Sequence, residues 1–177
     1  INLCRCKGDN EGFTCLSKYL DYTNKAGGRG TVVHVGKYLE KKMDDALDTM
    51  KRNIVEVLEF SSPHSPLLLE TPAGQGTETL TDLDSFSSFV KSIDDDRFGV
   101  CVDTCHVWST GIRPSEYLTG LERRDIIPKL IHFNDSKGKL DCRKDRHEEI
   151  GLGKIGMEEL RRCAEFGKKY NIPLIIE

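Results

Sequence analysis

What this sequence lacks narrows it first. Its longest apolar runs, such as 66–69 and 172–176, fall far short of the roughly 18 residues that a membrane-spanning helix needs, so the chain is read as soluble and without a membrane partner. Neither sign of charge predominates. With 26 Lys and Arg against 29 Asp and Glu, a net charge of −3, the chain has no general attraction to phosphate backbones, and nucleic-acid binding would need a local patch or a bound metal. The seven cysteines, at 4, 6, 15, 101, 105, 142 and 163, include no C-x-x-C pair, and no signal-peptide pattern accompanies them. That combination fits a reducing intracellular compartment, cytoplasm or nucleus, with each cysteine a small buried apolar residue, Cys101 most clearly because it lies inside an apolar run. No break in composition divides the 177 residues, so 1–177 is one domain. The hydrophobic fraction of 37% becomes about 43% once Tyr is left out and Gly is counted, near the globular norm, which excludes a disordered or fibrous chain.

What is present is a repeating alternation. Five short aliphatic or β-branched runs bounded by Gly, Pro, Asn or Asp read as buried strands, at 31–35, 66–70, 99–103, 129–133 and 173–177. Between them, apolar residues recur every three or four positions at 41–60, 82–93 and 157–170, and more weakly at 12–25, as in amphipathic helices. Continuous apolar strands separated by such helices imply a parallel sheet covered on both faces, an α/β architecture that is either an open doubly wound sheet or a (β/α)8 barrel. The chain opens at Ile1 rather than Met and closes directly after the apolar residues 172–176, so it is expected to be cut at both ends.

Each of the five strands ends on a residue that can ligate a metal: His34, Glu70, Asp103, His132 and Glu177. Taken singly, His34 reads as a hydrogen-bonded core histidine and Glu70 as a helix cap. Five in register are harder to explain that way, because a His or carboxylate closing an apolar strand is costly to bury unless it is paired or holds an ion. The C-terminal ends of parallel strands form one face, so these side chains should converge there. Two loops add to the set. Asp103 and His106 stand three apart on leaving a strand, where neighbouring ions could each take one, and Asp145 and His147 stand two apart, on the same side of an extended segment. The resulting four imidazoles and four carboxylates suit two or three ions, and a donor set without thiolate points to Zn2+ or Mn2+ in a hydrolytic centre acting on a phosphodiester.

Gly74-Gln75-Gly76 and the Gly151–Gly156 segment match neither a Walker loop nor a dinucleotide fingerprint, and read as tight loops that allow close backbone approach. Lys137, Lys139, Arg143, Lys144 and Arg146 concentrate positive charge beside the candidate ligands, as a phosphate-binding patch or as a solvated loop.

The strings Glu70-Thr71-Pro72-Ala73-Gly74-Gln75-Gly76, Asp103-Thr104-Cys105-His106, His132-Phe133-Asn134-Asp135-Ser136-Lys137, Asp145-Arg146-His147 and Pro173-Leu174-Ile175-Ile176-Glu177, taken in order, resemble the endonuclease IV family of apurinic/apyrimidinic (AP) endonucleases. The resemblance implies a TIM-type (β/α)8 barrel with three zinc ions at its C-terminal face. The implied reaction is hydrolysis of duplex DNA on the 5′ side of abasic sites, leaving a 3′-hydroxyl, in base excision repair. Carried over by residue, Glu70 bridges two ions, one also held by His34 and the other by Asp103, His132 and Glu177. The third ion falls to His106, Asp145 and His147. Two ions activate the attacking water and the third helps the leaving 3′ oxygen, with Glu70 and Glu177 the catalytic carboxylates; of the basic patch, Lys137 and Arg146 are the expected DNA contacts. The partner implied is double-stranded DNA with abasic sites, bound by a monomer when the barrel is complete. The sequence departs from the family in three ways. The histidine that precedes the family's Tyr-Leu-Ile-Asn string falls before Ile1, the family's His-Pro-Gly reads His34-Val35-Gly36, and about five of eight strands are present, which makes the isolated piece unstable or prone to associate. Two alternatives stay open: a metal-dependent sugar isomerase or epimerase of the same barrel type, which leaves His106, Asp145 and His147 without a task, and a non-catalytic DNA-binding remnant.

Overall fold

The computed structural model describes residues 1–5 and 11–177; the reading of Cys6 as buried therefore lies outside the described residues. In chain order the elements are α1 (Glu11–Lys25), β1 (Thr31–His34), α2 (Met43–Val57) running into a 3-10 turn (Leu58–Phe60), β2 (Leu67–Glu70), α3 (Leu83–Ser92), β3 (Phe98–Asp103), α4 (Thr104–Ser109), α5 (Pro114–Glu122), β4 (Leu130–His132), β5 (Asp135–Ser136), β6 (His147–Glu148), α6 (Met157–Tyr170) and β7 (Leu174–Ile175). Strands β1-β2-β3-β4-β7 form one parallel sheet in that order, the wall of an incomplete barrel, and β5 pairs with β6 antiparallel. Parallel neighbours need a crossover, and a helix supplies each one.

Strand parity decides which face each side chain meets. Val33, Leu67, Leu69, Val100, Val102 and Ile131 join the main core with helix residues such as Met50, Ile54, Phe86 and Leu118. The alternate residues Leu68, Cys101 and Leu130 form a separate small cluster, with Val32 packed against it, on the face that lines the barrel interior. His34, Glu70, Asp103 and His132 each lie two residues after a member of that inner cluster. The four therefore share its face, one pleat nearer the C-terminal end. The register is continuous: His34 stands opposite Glu70, Glu70 opposite Cys101, Asp103 opposite His132, and His132 opposite Ile175.

All five strands lie at the apolar runs, but β1, β2 and β4 are one or two residues shorter than expected and β7 keeps only two residues. Glu177 lies two residues past the end of β7, whose residues are exposed at the sheet edge. The sequence periodicity missed α4 and α5, of six and nine residues, because both are too short to repeat an apolar stripe. Their starts are signalled instead by capping chemistry, Asp103 as the N-cap of α4 and Pro114 in the first turn of α5. The cysteine reading needs correction at two positions. Cys4, Cys101, Cys105 and Cys163 are buried, whereas Cys15 is exposed on the solvent side of α1 and Cys142 is half-buried in a loop. Among the described residues no helix is long and apolar enough to cross a membrane.

Candidate metal centre

Glu70, at the end of β2, is 3% exposed, and its two oxygens part company. Oε2 lies 2.9 Å from His34 Nε2 and Oε1 lies 2.8 Å from His132 Nδ1. Glu177 Oε2 reaches the same His132 nitrogen at 3.0 Å, and Asp103 Oδ2 stands 3.9 Å from it. Across the mouth, His106 Nε2 is 3.3 Å from Asp145 Oδ2, His147 Nε2 is 3.1 Å from Asp145 Oδ1, and His147 Nε2 is 3.5 Å from Asp103 Oδ2. All eight residues singled out from the sequence thus meet in one patch. Their donor atoms fall into three overlapping groups, each within 4.8 Å: His34 with Glu70 and His106; Glu70 with Asp103, His132 and Glu177; and His106 with Asp145 and His147. A hollow of about 300 Å³ lined by His34, Pro72, Gln75, His106 and Asp145 opens onto them. A larger one, about 670 Å³, lies at the opposite end of the strands beside Pro66, Lys129 and Pro173 and contains none of the eight.

Several side chains that the sequence reading assigned no role hold this arrangement. Thr71 accepts a hydrogen bond from His106 Nδ1 at its carbonyl (2.9 Å), and its hydroxyl accepts the backbone N–H of Asp103 (3.0 Å). A carbonyl only accepts, so His106 carries its proton on Nδ1 and turns Nε2 toward Asp145. Asp103 uses Oδ1 to accept the backbone N–H of His106 and cap α4, leaving Oδ2 for the centre. Asn134, fully buried, donates from Nδ2 to that Oδ2 (2.7 Å) and accepts the backbone N–H of Glu177 at Oδ1 (3.0 Å), which ties the ligand-bearing ends of β3 and β7 together across β4. Thr71 adjoins Glu70, and Asn134 stands two residues after His132.

The donor set fits divalent cations. His106 Nε2 and His147 Nε2 are buried without a well-directed hydrogen bond, although carboxylate oxygens lie close to both. Nitrogen lone pairs gathered among carboxylates in that way suit an ion between them. Cys101 and Cys105 also lie within reach of these groups, and burial raises both thiols, Cys105 to about 11.

The sequence profile of the xylose isomerase-like TIM barrel family matches residues 1–177. The chain belongs to that family. Within this barrel family it is similar to proteins named endonuclease 4. That of Acanthamoeba polyphaga mimivirus is 33% identical over 196 residues, an alignment covering 100% of this chain and 63% of the relative. The crystal structure of endonuclease IV from Thermus thermophilus superposes with a TM-score of 0.81 at 26% identity, covering 100% of this chain and 65% of that one. A D-tagatose 3-epimerase-like protein shares the fold, with a TM-score of 0.80 at 21% identity over 99% of this chain and 65% of its own. The chain thus spans less than two thirds of the length of these barrel relatives.

Without metal, protons do the neutralising. Burial pulls Glu70 upward, but hydrogen bonds from His132 and His34 outweigh it and hold the carboxyl at about 2. Burial pulls His106 downward, and Asp145, Asp103 and Glu70 outweigh it and raise the imidazole to about 10. Asp145 is held well below the carboxylate range by His106 and His147. The raised His106 stabilises the metal-free fold fully below its ordinary pKa, and that contribution disappears as pH rises through about 10. A cation held by these residues would displace the protons, so its binding would strengthen with rising pH. Chelation of divalent metal is accordingly expected to lower the thermal midpoint and restored metal to raise it, with stability changing by about 1.4 kcal/mol per tenfold in free metal for each ion bound. Differential scanning fluorimetry in zinc-buffered solution checks this.

Proposed function

We propose that this chain carries the metal-binding face of a zinc-dependent AP endonuclease of base excision repair. The enzyme hydrolyses the phosphodiester 5′ to an abasic site in duplex DNA and leaves a 3′-hydroxyl. The observation that carries the reading is the division of Glu70 between His34 and His132, as expected of a bridging carboxylate, alongside a further group of His106, Asp145 and His147. In this reading the holders are His34 and Glu70; Glu70, Asp103, His132 and Glu177; and His106, Asp145 and His147. Bound zinc, or manganese in its place, supplies Lewis acidity toward the phosphate and activates water.

The chain's own groups do the rest. Glu70 is fixed by two imidazoles and keeps two cation positions close together. Glu177, its side chain 45% exposed at the mouth, is the carboxylate assigned to orient the attacking water. Lys137 and Arg146, both exposed, are joined across the β5–β6 hairpin by the Lys137 N–H to Arg146 carbonyl bond (2.9 Å), and are assigned to DNA phosphates flanking His147. The sugar-isomerase alternative gives His106, Asp145 and His147 nothing to do, whereas a phosphodiester leaving group gives them a task.

The test is incubation of the full-length protein with a duplex containing one tetrahydrofuran site. Nicking on its 5′ side with a polymerase-extendable 3′-hydroxyl, abolished by chelator, is the expected result. Cleavage restricted to natural abasic sites and leaving an unsaturated aldehyde 3′ end would mark a lyase. Sugar epimerisation without nicking would mark an isomerase.

A further inference from the structure

The Gly151–Gly156 loop, which the sequence leaves as a site of close backbone approach, is already filled. Asp135, in β5 just past β4, is fully buried and turns its carboxyl into the loop. Oδ1 accepts the backbone N–H groups of Ser136 (2.8 Å) and Ile155 (3.0 Å), and Oδ2 accepts those of Gly151 and Gly153, both at 3.1 Å. A Cβ on Gly153 would collide with the Asp135 carboxyl. Converging backbone N–H groups of this kind make an anion cradle, and here the anion belongs to the chain. The same stretch holds one part of the candidate centre: Asp135 pairs with Glu148 and Ser136 with His147 in the hairpin, and Lys154 donates its backbone N–H to the Ser136 carbonyl at 2.7 Å.

We infer that Asp135 is a positioning residue for the His106, Asp145 and His147 group. By gripping residues 151–155 it fixes the return of the chain after His147, and so the point at which His147 and Asp145 meet His106. Glu70, Asp103 and His132 are carried by the sheet and do not depend on that grip. The inference rests on the proposed reading only in taking these groups as metal sites.

Two substitutions test it in the full-length protein. Asp135→Asn preserves shape, but each carboxyl oxygen receives two N–H groups, so the new NH2 faces two donors whichever way the amide turns. Gly153→Ala disturbs the same contact from the loop side without altering charge, and decides the matter should Asp135→Asn fail to fold. Zinc content is measured at buffered free-zinc levels, with hydrogen exchange at Gly151, Gly153 and Ile155. Both variants are expected to bind one ion at least about tenfold more weakly and the others unchanged, with lost protection at those amides and turnover restored by added zinc. Retention of every ion at wild-type affinity, or parallel loss of all of them, overturns the role of Asp135. Wild-type protein that binds no metal overturns the metal reading itself and this role with it.

Discussion

Replacing Glu70 by glutamine in the full-length protein is expected to lower cleavage of an abasic duplex by about a thousandfold or more, equivalent to about 4 kcal/mol of barrier. The substitution is nearly isosteric, so packing beneath β2 survives. It removes one negative charge, and it turns an NH2 toward either His34 Nε2 or His132 Nδ1, each of which lies within 3 Å of a Glu70 oxygen. Because the two oxygens serve different groups, one substitution loosens two cation positions together. Zinc content measured by mass spectrometry should therefore fall by more than one ion per chain, in step with the single-turnover rate. Unchanged zinc content alongside lost activity would show that Glu70 acts in some way other than by bridging.

His106→Ala and His147→Ala form the second large prediction, and they separate phosphodiester hydrolysis from sugar chemistry. In a nuclease these residues hold the cation that stabilises the leaving 3′ oxygen, a contribution of several kcal/mol, so each substitution should lower single-turnover cleavage by two or more orders of magnitude. A sugar isomerase built on Glu70, Asp103, His132 and Glu177 would tolerate both. Deleting His106 also removes the ring that hydrogen-bonds to the Thr71 carbonyl, whereas His147 sits on the hairpin and meets the strand ends through Nε2, 3.5 Å from Asp103 Oδ2. Equal losses in the two variants would tie the effect to the shared cation position rather than to local packing. Cleavage at wild-type rate in both variants would exclude the leaving-group role assigned to this cation position.

Much of the centre was legible because the two regularities that expose it are both local in sequence. Apolar strand runs announce themselves by composition, and a His or carboxylate closing such a run stands out against it. The supporting shell was not legible, because it depends on which strands are neighbours. Asn134 matters only because β4 lies between β3 and β7, so that one amide can reach Asp103 on one side and the Glu177 backbone on the other. Thr71 and Asp135 are similar cases, whose partners lie 35 residues along the chain for the Thr71 carbonyl and 16 to 20 for the three loop amides that Asp135 accepts. The glycine loop was found by its spacing, but its occupant was not, since nothing local distinguishes an amide cradle awaiting a phosphate from one already holding a side chain.

The alternation of the sheet has a consequence for how this chain can change over time. The inner cluster and the candidate ligands beyond it occupy every second position, with Val32 before His34, Leu68 before Glu70, Cys101 before Asp103 and Leu130 before His132. A one-residue insertion or deletion within any of these strands would swing its ligand into the helix-facing layer and bring an aliphatic side chain into the polar mouth. Length changes compatible with the candidate centre are therefore those in the helices and outer loops, because a shift within a strand takes its candidate ligand away from the mouth.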